Sequence, residues 1–317
     1  MSGFATDFER RYLFAGTLAL ESGLHVGSGW VAGSPSDDPV IRTADGRPFI
    51  PGSSFKGAFR STVEKLAPAV GLSSCLLDHS DDDAACLSPQ RSRLGRDFRT
   101  VRDRLGRTIA AADRDAAQAL DKLGHPDWLG VQLSERHVIQ LLDEHLCDTC
   151  KLFGSPYAAS KITFSDLLPP EEDEHADKMI EVRDGVAIDR DSERAVPQLL
   201  YNYEAVAVAQ TFRLRILLQD PSAVDLGLTC LGLSEFSSGM GYVGGNRSRG
   251  LGNVRLVDLE VYELDLTMDD LVERGKRLKK YLLGKNWEEK MTRLPDAQGF
   301  VEEQLSELPA LKEVSNA

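Results

Sequence analysis

The stretch Ile50-Pro51-Gly52-Ser53-Ser54-Phe55-Lys56-Gly57-Ala58-Phe59-Arg60 decides how this chain is read. Its Pro-Gly-Ser-Ser turn breaks an extended segment and opens a helix. Ser53 or Ser54 is the expected cap, which leaves backbone N–H groups free at the helix's positive end. Apolar side chains at Phe55, Phe59, Val63 and Leu66 recur at helical spacing and predict a helix from Phe55 to Leu66. Lys56 and Arg60 stand one turn apart on one face of it. A helix start, hydroxyls and two cations together suit a phosphate group. The alternative is an ordinary helix start with solvated basic side chains.

Working outward, Tyr12 to Leu20 reads as a first strand, and Pro39 to Ile50 as extended with a turn at Asp45-Gly46. Lys161 to Leu167 and Met179 to Asp189 are extended. Val206 to Leu218 alternates, with Phe212, Leu214, Ile216 and Leu218 on one side and Arg213 and Arg215 on the other. Leu226 to Phe236 reads as a helix, and Leu251 to Leu264 as a final strand. Between Gly71 and Cys150 the pattern changes to charged helical segments and cysteine-bearing loops, which marks an insertion. Without it the order is β-α-β-β-α-β, that of an α+β, ferredoxin-like sheet with helices on one face. RNA-recognition domains share that order. The expected division is a core domain over 1–264, interrupted by 71–150, and an amphipathic helical extension over 265–317. That tail is expected to pack on the core or meet a neighbouring subunit.

The chain has 317 residues and a formal net charge of -13. That charge argues against whole-surface nucleic-acid binding. A local basic groove is compatible with it, because exposed charges are screened beyond about 8–10 Å. The acidic residues are also segregated, as at Glu171-Glu172-Asp173-Glu174 and in the tail. No apolar run approaches the roughly 20 residues that span a membrane. The first residues lack the apolar core of a signal peptide, so the cytoplasm is the expected location.

A second segment reads Gly239-Met240-Gly241-Tyr242-Val243-Gly244-Gly245-Asn246-Arg247-Ser248-Arg249-Gly250-Leu251-Gly252. Glycines let a backbone come close to a ligand, and Arg247 and Arg249 supply charge suited to a sugar-phosphate chain. The G-x-G-x-x-G match within it is not a dinucleotide fingerprint, because a helix precedes it and a strand follows. Among the cysteines, Cys147 and Cys150 form a C-x-x-C, while Cys75 and Cys86 lie in an earlier loop. Four thiolates flanking one insertion suit a structural, tetrahedral Zn²⁺, with His79 and His145 as substitute ligands and free buried thiols as the alternative. Cys230 falls in the second helix and is read as core.

These segments resemble the RAMP superfamily, the RNA-binding subunits of CRISPR effectors. The Gly-Ser-Ser-hydrophobic-Lys-Gly segment at Gly52–Gly57 and the Arg-Gly-Leu-Gly run at Arg249–Gly252 carry the likeness. So do Gly23-Leu24-His25-Val26-Gly27, Leu152-Phe153-Gly154-Ser155 and Ile188-Asp189-Arg190. The matches run in order from about Tyr12 to Leu264. The resemblance implies a RAMP fold with a thumb hairpin, its tip at Asp191 to Pro197, in a backbone subunit of a type III complex. It implies a zinc site in the insertion and His25 near a guide RNA. Ser53, Ser54, Lys56, Arg60, Lys151, Lys161, Arg247 and Arg249 are then the expected RNA contacts. The family's aromatic RNA-recognition signature on the sheet is absent, so stacking of bases there is not expected.

The same resemblance places a catalytic aspartate shortly before Pro39-Val40, on Asp37, with Asp38 as runner-up. A carboxylate there can hold hydrated Mg²⁺ or Mn²⁺ against a phosphate, or orient a ribose 2′-OH for in-line attack. An Asp-Asp-Pro turn without chemistry is the competing reading. The expected function is guide-RNA binding in an RNA-targeting complex, with cutting of target RNA by Asp37. The expected partners are guide RNA, target RNA and other effector subunits, copies of this chain among them. A non-catalytic guide-binding or capping subunit is the alternative. A precursor-processing nuclease would need a general acid–base group, for which His25 is the candidate in a suitable loop.

Overall fold

The computed structural model describes residues 8–29, 36–75, 146–155, 158–170, 179–188, 190–191 and 194–315. Most of the insertion, with Cys86, His79 and His145, lies outside these residues. So do the acidic cluster at 171–174, the middle of the 27–38 loop and part of the hairpin tip. The elements in chain order begin with β1 (Arg10–Leu20), α1 (Gly52–Leu66), α2 (Asp148–Phe153), β2 (Ile162–Phe164), β3 (Ile180–Ile188) and β4 (Ala195–Val206). They continue with β5 (Thr211–Gln219), α3 (Ala223–Ser237), β6 (Gly241–Tyr242) and β7 (Asn253–Asp265). The tail holds α4 (Leu271–Leu283), α5 (Trp287–Lys290), β8 (Thr292–Arg293), α6 (Ala297–Ser306) and α7 (Pro309–Ser315).

The main sheet is antiparallel in the order β2-β5-β1-β7-β6, and β8 pairs with the edge of β7. Alternation decides its faces. Tyr12, Phe14, Leu18 and Leu20 of β1 and Phe212, Leu214, Ile216 and Leu218 of β5 point to one side, where α1, α3 and α6 lie. Phe55 and Phe59 of α1 meet Phe236 of α3 there, at ring separations of 5.2 and 5.6 Å. Each of these side chains is fully buried, which stabilises the fold by about 1.5–3 kcal/mol apiece.

The reverse face is covered in part by the tail. Leu13, Tyr262, Leu264, Leu266 and Met291 form a second apolar cluster, with Tyr281 and Trp287 against it. The Arg215 guanidinium lies 3.8 Å from the centre of the Trp287 ring. The tail therefore packs on the core, and it also adds strand β8, which the helical reading of 265–317 lacked.

Strands β3 and β4 form a separate two-stranded hairpin. The expected continuous segment from Val206 to Leu218 is instead the end of β4, a turn and β5. Ala209 in that turn has φ 67°. Four residues separate the two strands, an even number, so the alternation keeps its phase across the break and hides it. Among the described residues, no helix is long and apolar enough to cross a membrane.

Candidate nucleic-acid interface and cysteine cluster

Helix α1 starts one turn earlier than its apolar pattern suggested, and neither Ser53 nor Ser54 caps it. The cap residue is Pro51, and the Gly52 N–H donates to Asp166 Oδ1 at 2.7 Å. A remote carboxylate thus takes the role expected of a local hydroxyl. Gly52 is needed there because a Cβ would press against the Ser165 backbone at 3.0 Å. Ser53 is exposed and Ser54 half-buried, so both hydroxyls stay uncommitted to the cap.

The two cations on α1 differ. Lys56 Nζ donates to Ser160 Oγ at 2.9 Å and has no carboxylate within ion-pair reach among the described residues. Burial, and then the neighbouring Arg60, hold its pKa below the ordinary lysine value. Arg60 is committed to protein partners: Glu64 Oε1 at 2.7 Å, the Gly154 carbonyl at 3.1 Å and Cys150 Sγ at 3.4 Å. Burial opposes its charge, but Glu64 and Cys150 outweigh burial and raise its pKa. Lys161 is likewise engaged, at 2.7 Å from buried Asp225, which also closes the Ser222 capping box of α3. Lys151 sits half-buried in α2.

The loops around β4 form a second neighbourhood. His25 is 5 % exposed; its Nδ1 lies 2.7 Å from the Glu204 carbonyl and its Nε2 3.1 Å from Asp38 Oδ2. The imidazole is therefore held on both sides by the protein. Asp37 is exposed and makes a reciprocal pair with Asn202: Asp37 N–H donates to Asn202 Oδ1 at 2.8 Å, and Asn202 N–H to Asp37 Oδ2 at 2.9 Å. Buried Glu204 accepts from the Val40 N–H at 3.0 Å and from Arg42 Nη2 at 2.7 Å. Its own N–H donates to the Asp38 carbonyl at 3.0 Å. Asn202, Glu204 and Arg42 were not singled out from the sequence as loop supports. A carboxylate just before the apolar pair Ala205-Val206 is the one local sign.

The glycine-rich loop leans on the same place. Gly245 N–H donates to the His25 carbonyl at 2.9 Å, and Gly252 N–H to that of Gly23 at 2.8 Å. Gly244 has φ 81°, and a Cβ on it would run into the His25 carbonyl. Arg247 and Arg249 are exposed; Arg249 Nη1 donates to Tyr201 Oη at 2.5 Å, and Arg247 Nε to the Gly244 carbonyl at 3.1 Å. His25, Asp37, Asp38 and Arg249 are therefore linked through residues 201–204, whereas Lys56 and Arg60 contact residues 150–160.

Cys75, Cys147 and Cys150 come together with their Sγ atoms within 4.8 Å of one another, all three buried. Cys75 stands 3.5 Å from each of the other two. A disulfide would need about 2 Å. Zinc–sulfur bonds of about 2.3 Å at tetrahedral angles put sulfurs about 3.8 Å apart, which the cluster approaches. Asp148 ties the two segments together, accepting from Ser73 N–H at 2.8 Å and Ser73 Oγ at 2.7 Å. Cys230 is core, as expected, and burial pushes its thiol up to about 12.

A protein of Methanocaldococcus jannaschii named CRISPR system Cms endoribonuclease Csm3 is 23% identical over 265 residues, 79% of this chain and 80% of that one. A protein of the same name from Methanothermobacter thermautotrophicus is 40% identical over 60 residues, 18% of this chain and 24% of that one. Residues 17–255 match the RAMP superfamily, and this chain belongs to that superfamily.

Proposed function

We propose that this protein is a guide-RNA-binding backbone subunit of a type III CRISPR complex that cuts bound target RNA with Asp37. The observation that carries the reading is the placement of Asp37, an exposed carboxylate on a loop pinned to β4 and bordered by the arginine-bearing glycine loop. Family membership and the endoribonuclease name of the two relatives support it. The sheet order β7-β1-β5-β2, with α1 and α3 as the crossing helices, supports the ferredoxin-like reading. The β3–β4 hairpin is the proposed thumb, within a domain over 1–264 and its tail over 265–317.

Asp37 Oδ2 is taken by the Asn202 N–H, while Oδ1 has no hydrogen bond among the described residues. One free, exposed carboxylate oxygen fits a hard, largely hydrated Mg²⁺ or Mn²⁺. Such an ion supplies charge neutralisation at the scissile phosphate. The protein's share is positional. Asp37 lies beside the target ribose, whose 2′-oxygen attacks the adjacent phosphorus as the bond to the 5′-oxygen breaks. The 2′-hydroxyl proton passes to solvent water and the departing 5′-oxygen takes a proton from solvent, leaving a 2′,3′-cyclic phosphate on one fragment and a 5′-hydroxyl on the other. Lys56, Arg247, Arg249 and the Ser53 and Ser54 hydroxyls hold the guide backbone, with His25 as a structural prop. Lys151 is a further contact, whereas Arg60 and Lys161 contribute less, since both already serve internal ion pairs. Cys75, Cys147 and Cys150 hold structural Zn²⁺, with Cys86 completing the set.

The test is Asp37→Ala in the complex assembled with guide RNA and offered complementary target. Cutting should be abolished while guide and target affinities stay within about twofold, because the carboxylate is repelled by ground-state phosphate and helps only in the aligned transition state. Wild-type cutting would leave the non-catalytic guide-binding subunit as the better reading.

A further inference from the structure

We infer that Asn202 is a positioning residue that sets where Asp37 stands, so that the root of the hairpin strand fixes the cut position. The inference rests on the assignment of target cutting to Asp37. It stands on how closely one short run of β4 holds the loop. Asn202 bonds both the N–H and the carboxylate of Asp37. Tyr203 bridges to Asp38, Glu204 bonds Asp38, Val40 and Arg42, and Tyr201 holds Arg249. Asp37 thus keeps a fixed relation to the strand whose far end forms the hairpin tip.

The two bonds of the Asn202–Asp37 pair do different things. The Asn202 backbone N–H orients the carboxylate and survives any substitution except proline. The Asn202 amide oxygen holds the Asp37 backbone, and that bond is removable. Without it, Asp37 N–H turns to water and the loop gains freedom at the residue that carries the reacting carboxylate. Misplacement of about 1 Å costs about 100-fold in rate for a group that acts by geometry. Asn202→Asp keeps an oxygen acceptor at the same length from the backbone.

The experiment compares wild type, Asn202→Ala, Asn202→Asp and Asp37→Ala in the guide-loaded complex, with a complementary target RNA at saturation. Single-turnover rate, target affinity and the position of each cut are read by gel. Asn202→Ala should cut about 10- to 100-fold more slowly with unchanged target affinity, and should spread its cuts to neighbouring phosphodiesters. Asn202→Asp should return to within about threefold of wild type, with single cut positions. If Asn202→Ala fails to assemble, Asn202→Asp and the cut positions of Asn202→Ser decide. Wild-type rate and cut positions in Asn202→Ala would overturn the inference, as would equal impairment of Ala and Asp. An active Asp37→Ala complex would instead overturn the catalytic reading, so the two failures are distinguishable.

Discussion

Truncating Glu204 to alanine should cost the fold about 2–4 kcal/mol, and the origin of that figure is local. The Glu204 side chain is 3 % exposed and its Oε2 accepts two hydrogen bonds, from the Val40 N–H and from Arg42. Val40 is itself 3 % exposed, so its N–H finds no water when the carboxylate goes. An orphaned buried donor costs about 1–3 kcal/mol. The void left by the side chain adds a cavity penalty of about 1 kcal/mol. Arg42 adds little, because its side chain is 39 % exposed and rehydrates. Glu204→Gln keeps an oxygen acceptor for Val40 and should cost no more than about 1.5 kcal/mol. Urea unfolding of the three proteins gives the differences from the midpoints. Hydrogen exchange of the 38–42 segment locates them, since Val40 should lose protection in the alanine variant and keep most of it in the glutamine one. A Glu204→Ala midpoint equal to wild type, or equal losses for Ala and Gln, would refute the argument that this carboxylate pins the loop.

Lys56→Ala, and Arg247→Ala with Arg249→Ala, should each weaken guide binding and flatten its dependence on log salt by about 0.7 for every phosphate left without its cation, read by filter binding across salt concentrations. The metal content of purified protein should be near one zinc per chain and fall to zero in Cys150→Ser; chelation should loosen the segments bearing Cys75 and Cys147 while circular dichroism of the sheet is retained. Asp265 offers a pH test. Burial works against its charge, but the Thr267 hydroxyl and N–H, at 2.7 and 2.9 Å, and then Arg10 and Arg277, hold its pKa below the ordinary carboxylate value. Its folded pKa lies below the unfolded one, so its stabilisation is complete above about pH 4 and disappears as pH falls through the folded value. Asp265→Asn should flatten the acid limb of the stability curve, measured by urea midpoints at descending pH, and an unchanged limb would remove Asp265 from that role.

The elements that follow from local periodicity were legible in the residues themselves. The helix from Phe55 to Leu66 and the strands Tyr12 to Leu20 and Phe212 to Leu218 carry their period in the side chains, because each buries one face, while the helix from Leu226 to Phe236 shows only as an apolar run, because it is buried nearly all round. The C-x-x-C and the glycine run are local as well. Tertiary structure decided what came from afar. Pro51 caps α1 without a side-chain bond, and the first helical N–H, that of Gly52, goes to Asp166, 114 residues away in the loop after β2, rather than to an adjacent serine. Arg60 pairs with Glu64 one turn along its own helix, which spacing alone allows, whereas its contacts to the Gly154 carbonyl and the Cys150 thiol come from folding, which brings residues about 90 positions away within reach of its planar donors. The supports of Asp37 were invisible for the same reason. Asn202 lies 165 residues further along, and a hydrogen bond between distant segments leaves no periodic trace in either. Spacing announces which side chains share a face, whereas ion pairs, caps and loop anchors depend on which distant backbone the packed sheet brings alongside.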